Sequence, residues 1–335
     1  VHSTVARELV WTTAFNGISA YNLDTGAHRV LIPSAALSFG VAADPSHKTF
    51  HFTTARGIYQ TGRDGSPVTA IHNTPFETTA TGSVDQIIAP HDVAIDELTG
   101  DLYWGEALYN VDTGADGRGI RRLDADTGAI TEVVDLNDGT YPYNVTLAPR
   151  ENLMVFGTNT TGTAAEAPVH GRVYRSTMDG DELQLLYETS YPALRGVSVD
   201  AESQMVFWGE RNDSVRSWRI MSGSLDGSLP PELVLDSSKW VPSNLEDIFY
   251  HVGEDKLYFG TGATIGRVNP DGTDAEYVVR EHVTSLLAFT IFDDSLALVP
   301  EPSAAVLGGI GAGIFVIGTK RRRRRHGDCL ATRNS

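Results

Sequence analysis

Cysteine is all but missing: the chain has one, Cys329, near its end. No disulfide can staple the body, so the fold must rest on packing and on how the chain closes; the compartment stays open on this ground. Lysine is nearly absent too. Lys48, Lys239 and Lys256 are all that precede residue 300. The formal charge is −17, yet the tail from Pro300 onward holds seven basic and two acidic residues, which leaves about −22 on the body. Such a surface argues against nucleic acid, because phosphate contacts need Lys and Arg. It suits solubility in salt and the attraction of cations. Neither HExxH nor a GxSxG elbow occurs, so two common hydrolase arrangements lack their signature. Residues 1–8 contain no apolar stretch of the signal-peptide kind and no initial Met. A late-assigned GTG start or a processed end is the expectation there.

What is present is a repeat. From His91 the chain reads HDVAIDELTGDLYWGE and then, at Gly119, GIRRLDADTGAITEVV. Short alternating runs separated by Gly/Asp turns give four antiparallel strands, a meander that cannot bury its own faces. Aligning on the residue that ends VAID gives Asp44, Asp96, Ala148, Asp200, His251 and Asp293, at intervals of 52, 52, 52, 51 and 42. Eight residues beyond the first five stand Phe52, Trp104, Phe156, Trp208 and Phe259, expected as core between units. Each unit then turns at Asp64-Gly65, Asp126-Thr127-Gly128, Asp179-Gly180, Asp226-Gly227 or Asp271-Gly272, where glycine supplies the positive φ. The recurring acids are expected to fix turns or bond neighbouring units.

The two ends complete each other. LVWTTA at residues 9–14 and ISAYNLDTG at 18–26 match the second and third strands of a unit that lacks its first. FTIFD at residues 289–293 matches a first strand with nothing after it. Joined in space they make a sixth unit and remove the free edges. The fold class is therefore all-β: a six-bladed β-propeller of four-stranded antiparallel blades over residues 9–296, closed by the C-terminal strand. Residues 1–8 precede it. Three stretches read as longer connections, where propeller function often sits: 74–89 between the second and third blades, and 109–119 and 157–171 within the third and fourth. Sequons begin at Asn144, Asn159 and Asn212 and count only in a eukaryotic secretory setting.

LYWGE, VFWGE and LYFGT, each after a short apolar strand, together with LRGVSVD at residues 194–200, resemble the YWTD repeats of low-density-lipoprotein-receptor-type propellers, although no unit carries the full string. The resemblance implies a binding scaffold, many such propellers not being enzymes.

The tail has its own signature. Residues 303–319 are uncharged and rich in Ala, Gly, Val and Ile; as a helix they would span roughly 26 Å at about 1.5 Å per residue, the lower limit for one short transmembrane helix. GIGAG at residues 309–313 lies within this span, without βαβ context, and reads as small-residue membrane packing. Lys320 and the run Arg321, Arg322, Arg323, Arg324 and Arg325 follow at once, placing residues 320–335 in the cytoplasm and the propeller outside. Within the 297–302 linker and just after it stand Val299, Pro300, Glu301, Pro302 and Ser303. This Pro-Glu-Pro motif, small-residue helix and Arg cluster resemble a PEP-CTERM sorting tail. The resemblance implies recognition and cleavage by an exosortase, in a Gram-negative-type bacterium that makes exopolysaccharide. It also implies an upstream signal peptide and a chain that stops soon after the basic cluster, whereas HGDCLATRNS follows here.

Two functions come out of this. The first is an exported, non-catalytic scaffold at the cell surface or in the extracellular matrix that binds protein or polysaccharide, with the tail processed; a permanently anchored single-pass receptor-like protein differs from it only in the fate of the tail. The second is a metal-dependent hydrolase or lactonase. Four residues before the aligned acids lie Gly40, Asp92, Asn144, Gly196, Asp247 and Phe289, and one position earlier Phe39, His91, Tyr143, Arg195, Glu246 and Ala288. These positions ring a propeller's channel. Asp92, Asn144 and Asp247, with Glu246 and His91 nearby, offer hard oxygen donors to Ca²⁺, the one cofactor considered; the fold requires none. The competing role for the same side chains is to cap strand ends and accept backbone N–H bonds.

Overall fold

Six antiparallel sheets, five of them built from strands consecutive in the chain, hold all the strands from Arg7 to Asp293 among the described residues. The computed structural model describes residues 7–293 apart from 15–16, 34–37, 74–75, 79–83, 111–113, 117–118, 137–139, 161–169, 192 and 241–242. Residues 1–6 of the N-terminal segment, the Pro-Glu-Pro linker, the 303–319 span and the basic tail lie outside the described residues. Among the described residues no helix is long and apolar enough to cross a membrane.

Blade 1 is the composite one. Leu286–Asp293 is its inner strand, followed by Arg7–Thr13, Ile18–Asn22 and His28–Ile32. The closing register runs from Arg7 opposite Asp293 to Thr12 opposite Ala288. Blade 2 comprises Ser38–Asp44, Thr49–Thr54, Gly57–Gly62 and Val68–Asn73; blade 4 comprises Thr140–Ala148, Leu153–Thr160, Arg172–Thr177 and Gln184–Glu188. Blade 5 comprises Ala193–Asp200, Met205–Asn212, Ser217–Ser224 and Glu232–Asp236; blade 6 comprises Leu245–His251, Lys256–Thr261, Ile265–Val268 and Glu276–Val279.

Blade 3 departs from the four-strand expectation. To Val84–Ile95, Leu102–Asn110, Ile120–Leu123 and Ile130–Val134 it adds Phe76–Thr78 and Gly114–Asp116, giving six strands. The stretch 74–89 is thus not only a connection. Its second half continues the inner strand, and the ladder runs on from Pro90 opposite Glu106 to Gln86 opposite Asn110.

The five repeating aromatics are the core between blades: Phe52, Trp104, Phe156, Trp208 and Phe259 are each at most 2 % exposed. Trp208 stacks on Tyr187 of the preceding blade at 4.7 Å, and Trp218 meets Phe259 of the following one at 5.9 Å. The glycine after four of these aromatics is a clearance. A Cβ at Gly157 would stand 2.1 Å from Leu194, and one at Gly209 2.1 Å from the carbonyl of Arg195 in its own blade and 2.5 Å from Leu245 in the next. The Asp-Gly turns take positive φ as expected, between 70° and 87° at Gly65, Gly128, Gly180, Gly227 and Gly272.

The aligned acids do structural work. Asp96 accepts from Leu98 N and Thr99 Oγ1, Asp200 from Glu202 N, and Asp44 from His47 N. In blade 6 the slot holds His251, which lies 3.3 Å from Asp293, the acid of blade 1. Two sequons are internal: Asn144 and Asn159 are 5 % and 4 % exposed and bonded across blades.

Candidate functional site

At the level of residues 92, 144 and 247 an inner strand has a ladder partner on one edge only, so its channel edge leaves peptide N–H groups to be satisfied otherwise. Asp92, Asn144 and Asp247 do this. Asp92 accepts from Val93 N at 2.9 Å through Oδ1 and from Val145 N of blade 4 at 3.1 Å through Oδ2. Asn144 accepts from Gly196 N of blade 5 at 2.8 Å, and its amide reaches Asp92 at 3.5 Å. Asp247 accepts from Ile248 N at 2.8 Å and from Phe289 N of blade 1 at 3.0 Å. Glycine fills two of the remaining places because nothing larger fits. A Cβ at Gly196, where φ is +69°, would lie 2.4 Å from Ile248 N; one at Gly40 would lie 2.7 Å from Asp92 Cα. The result is a belt that ties blade to blade around the axis.

Burial raises the pKa of both carboxyls; for Asp247 the nearby charge of Asp92 raises it further, against the bonds from Phe289 and Ile248. They sit at one end of a 410 Å³ cavity that is the channel itself, with Val93, Val145, Val197 and Ile248 on its wall and Glu97 and Val252 at the opposite rim.

One layer above the belt lies a second ring, built by a recurring irregularity. In every blade the register between the inner and second strands shifts at this level, for example between Pro142 and Asn144, Arg195 and Val197, and Leu245 and Asp247. A bulge re-aims the side chain it carries. Here the ring members meet in order: Phe39 and His91 at 5.4 Å, His91 and Tyr143 at 5.1 Å, and the Arg195 guanidinium 4.2 Å over the Tyr143 ring. Arg195 then stands 3.8 Å from Glu246, which takes a 2.6 Å bond from Arg211. Tyr141 adds a face 5.5 Å from His91. Burial, with the charge of Arg195, pushes His91 down to about 4, so its imidazole is neutral. Its Nδ1 is buried without a hydrogen-bond partner among the described residues. Burial also pushes Glu246 up, against the pull of Arg211 and Arg195. The six-stranded extension of blade 3 continues on this same side.

The five side chains considered for a metal are therefore split. Asp92, Asn144 and Asp247 belong to the belt, while His91 and Glu246 belong to the ring above, engaged with aromatics and arginines. Among the described residues no group of three or more His, Cys, Asp or Glu is placed to hold a metal. Ca²⁺ takes six to eight oxygens, and here the carboxylate and amide oxygens already accept peptide N–H groups. This donor set does not fit the ion.

What the residue pattern did not reveal is the glutamate of WGE. Glu106 and Glu210 are 6 % and 2 % exposed, and each takes a 2.5 Å bond from an arginine of the third strand, Arg121 or Arg219. Glu8 does the same in blade 1 with Arg29, and with Arg63 of blade 2. The signal was available: Glu210 and Arg219 are direct cross-strand partners.

No family model matches the chain, and no curated protein matches it. Solved structures do. A chain from the crystal structure of a nidogen/laminin complex superposes with a TM-score of 0.65 at 14 % identity, over 86 % of this chain and 99 % of that one. A gluconolactonase from Xanthomonas campestris gives 0.54 at 18 % identity, over 74 % and 77 %. TolB from Acinetobacter baumannii gives 0.58 at 10 % identity, over 85 % and 66 %. At these identities the likeness is one of fold.

Proposed function

We propose that this chain is an exported binding scaffold whose ligand, a protein or a polysaccharide of the cell surface or extracellular matrix, docks on the face bearing the Phe39–His91–Tyr143–Arg195–Glu246 ring. The observation that carries the reading is that ring. It sets the Arg195 guanidinium over the Tyr143 ring, beside a run of tilted aromatic faces and with Arg211 close by on Glu246, at a channel mouth of a body whose surface is otherwise strongly acidic. Arginine and tyrosine are the residues that most often anchor interfaces, through stacking and forked hydrogen bonds. The nidogen/laminin likeness supports a propeller that binds protein; the gluconolactonase likeness would support catalysis, but the belt oxygens already accept peptide N–H groups and leave too few positions for a metal's coordination shell. Val299 to Ser303 and Arg321 to Arg325 serve, in this reading, as the sorting signal of an exosortase-type enzyme that releases or transfers the propeller.

Two experiments test it. Binding of the full chain to the producing cells' exopolysaccharide and surface proteins is measured beside Arg195→Ala and Tyr141→Ala; loss in both variants with unchanged melting supports the mouth face. Equal binding by wild type and variants, or lactonase and esterase turnover that depends on Ca²⁺, refutes it. Mass spectrometry of the mature C-terminus from the native host tests sorting. An end near Pro300 to Ser303 supports cleavage, and intact Arg321 to Arg325 leaves a single-pass anchor.

A further inference from the structure

Asp247, which is buried, and Asp92, which is half-buried, line one cavity, and neither forms an ion pair with any described residue. The cations closest to this layer, Arg195 and Arg211, are engaged with Glu246 in the ring above. Asp247 is 8 % exposed, and what surface remains to it faces the channel. Carboxylates withdrawn from water without a counter-charge are costly, and the described residues supply no cationic partner. Some cation, or protons, must complete the site.

We propose that the belt end of the channel binds a primary alkylammonium group, with Asp92 and Asp247 as its counter-ions and the channel wall around its stem. The donor chemistry selects this class over a metal. Each of the four carboxylate oxygens already accepts one peptide N–H, from Val93, Val145, Ile248 and Phe289. The Asn144 amide also reaches Asp92 Oδ2, so one acceptor position remains on each of the other three oxygens. That is too few for the six to eight oxygens of Ca²⁺, but an ammonium carries only three donors. Beyond the carboxylates the wall includes Val93, Val145, Val197 and Ile248, apolar side chains against which methylenes can lie. The cavity, 410 Å³, has room for an amine of four or more carbons, such as a free alkylamine or a lysine side chain. Entry is from the far rim, where Glu97 and the acidic body favour a cation. The site is separate from the ring face of the proposed function, so either can fail without the other.

The test is calorimetric titration of the full chain with n-butylamine hydrochloride at pH 7.5 and low salt. Parallel titrations use 1-butanol and CaCl₂. Saturable one-to-one binding of butylammonium, absent for butanol and not displaced by Ca²⁺, is the expected result. Asp92→Asn and Asp247→Asn keep an acceptor oxygen at each position and should weaken binding by roughly thirtyfold or more, with circular dichroism reporting whether each variant folds. The wild-type arm decides even if the variants do not fold. No butylammonium binding, equal binding of butanol, or competition by Ca²⁺ overturns the proposal, as does undiminished binding in a folded Asn variant.

Discussion

Glu210 is 2 % exposed, and its two oxygens hold the indole N–H of Trp208 at 2.9 Å and the guanidinium of Arg219 at 2.5 Å. Glu210→Ala strands both donors, and removing one member of a buried pair costs about 3 kcal/mol; chemical denaturation should show that loss, whereas an unchanged midpoint would make the pair ornamental. His51, 5 % exposed, carries a different liability. Burial pushes its pKa down to about 4, against the pull of Asp44. The native state therefore holds it neutral while the unfolded chain takes a proton first. Its contribution is full above the unfolded value near 6.5 and is lost as pH falls from there toward 4, about 2 kcal/mol at pH 5. His51→Phe should narrow the gap between melting temperatures at pH 7 and pH 5; an unaltered gap would place the acid sensitivity elsewhere, for instance at His251. At this scale residue type alone was ambiguous. Asp92 and Asp247 read both as peptide acceptors and as metal donors, and only the position of the next blade's N–H shows which peptide groups their oxygens accept from.

Four of the aromatic strands carry Gly105, Gly157, Gly209 or Gly260 opposite the bulge, with the next blade's inner strand pressed against them. The aromatic-glycine pair is thus one device: the ring fills the interblade core, and the missing Cβ admits the neighbour's mouth residue. Gly209→Ala would place its Cβ 2.1 Å from the Arg195 carbonyl and 2.5 Å from Leu245, an overpacking that costs about 2 kcal/mol. The denaturant midpoint should fall with the slope unchanged, because only the native state is strained. Wild-type stability in that variant would show that the bulge shifts freely. The strands themselves were legible, since alternation and Gly/Asp turns are local signals. The bulges were not, because they answer to a neighbour some fifty residues away rather than to their own sequence. Nor were the added strands of blade 3: TPFETTATGSVDQIIA has no clean alternation, and Leu102–Asn110, running on beyond the ring, gives an edge to Val84–Ile95, to which Phe76–Thr78 adds in turn.

Ring closure was the most legible feature of the whole molecule, because a missing first strand at one end and a surplus one at the other leave one solution. Its energetics follow from the same geometry. Leu286–Asp293 brings Phe289 and Phe292, 3 % and 0 % exposed, into the seam, receives the belt from Asp247 and sets Asp293 3.3 Å from His251. On the outer side Arg7 pairs with Glu254, which also holds Arg267 at 3.0 Å. Without this strand, Arg7–Thr13 would present a long apolar edge, the template for pairing with another chain. A chain ended at residue 279 should therefore lose its single cooperative melting transition and self-associate in sizing chromatography. A peptide of residues 284–296 added in trans should restore both the transition and the monomer, because it supplies the strand without the covalent loop, whose closure entropy grows only slowly with length. A truncated chain that stays monomeric and melts as the intact one does would mean that five blades and a fragment hold the ring unaided, and that the meeting of the two termini is a consequence of the fold rather than its lock.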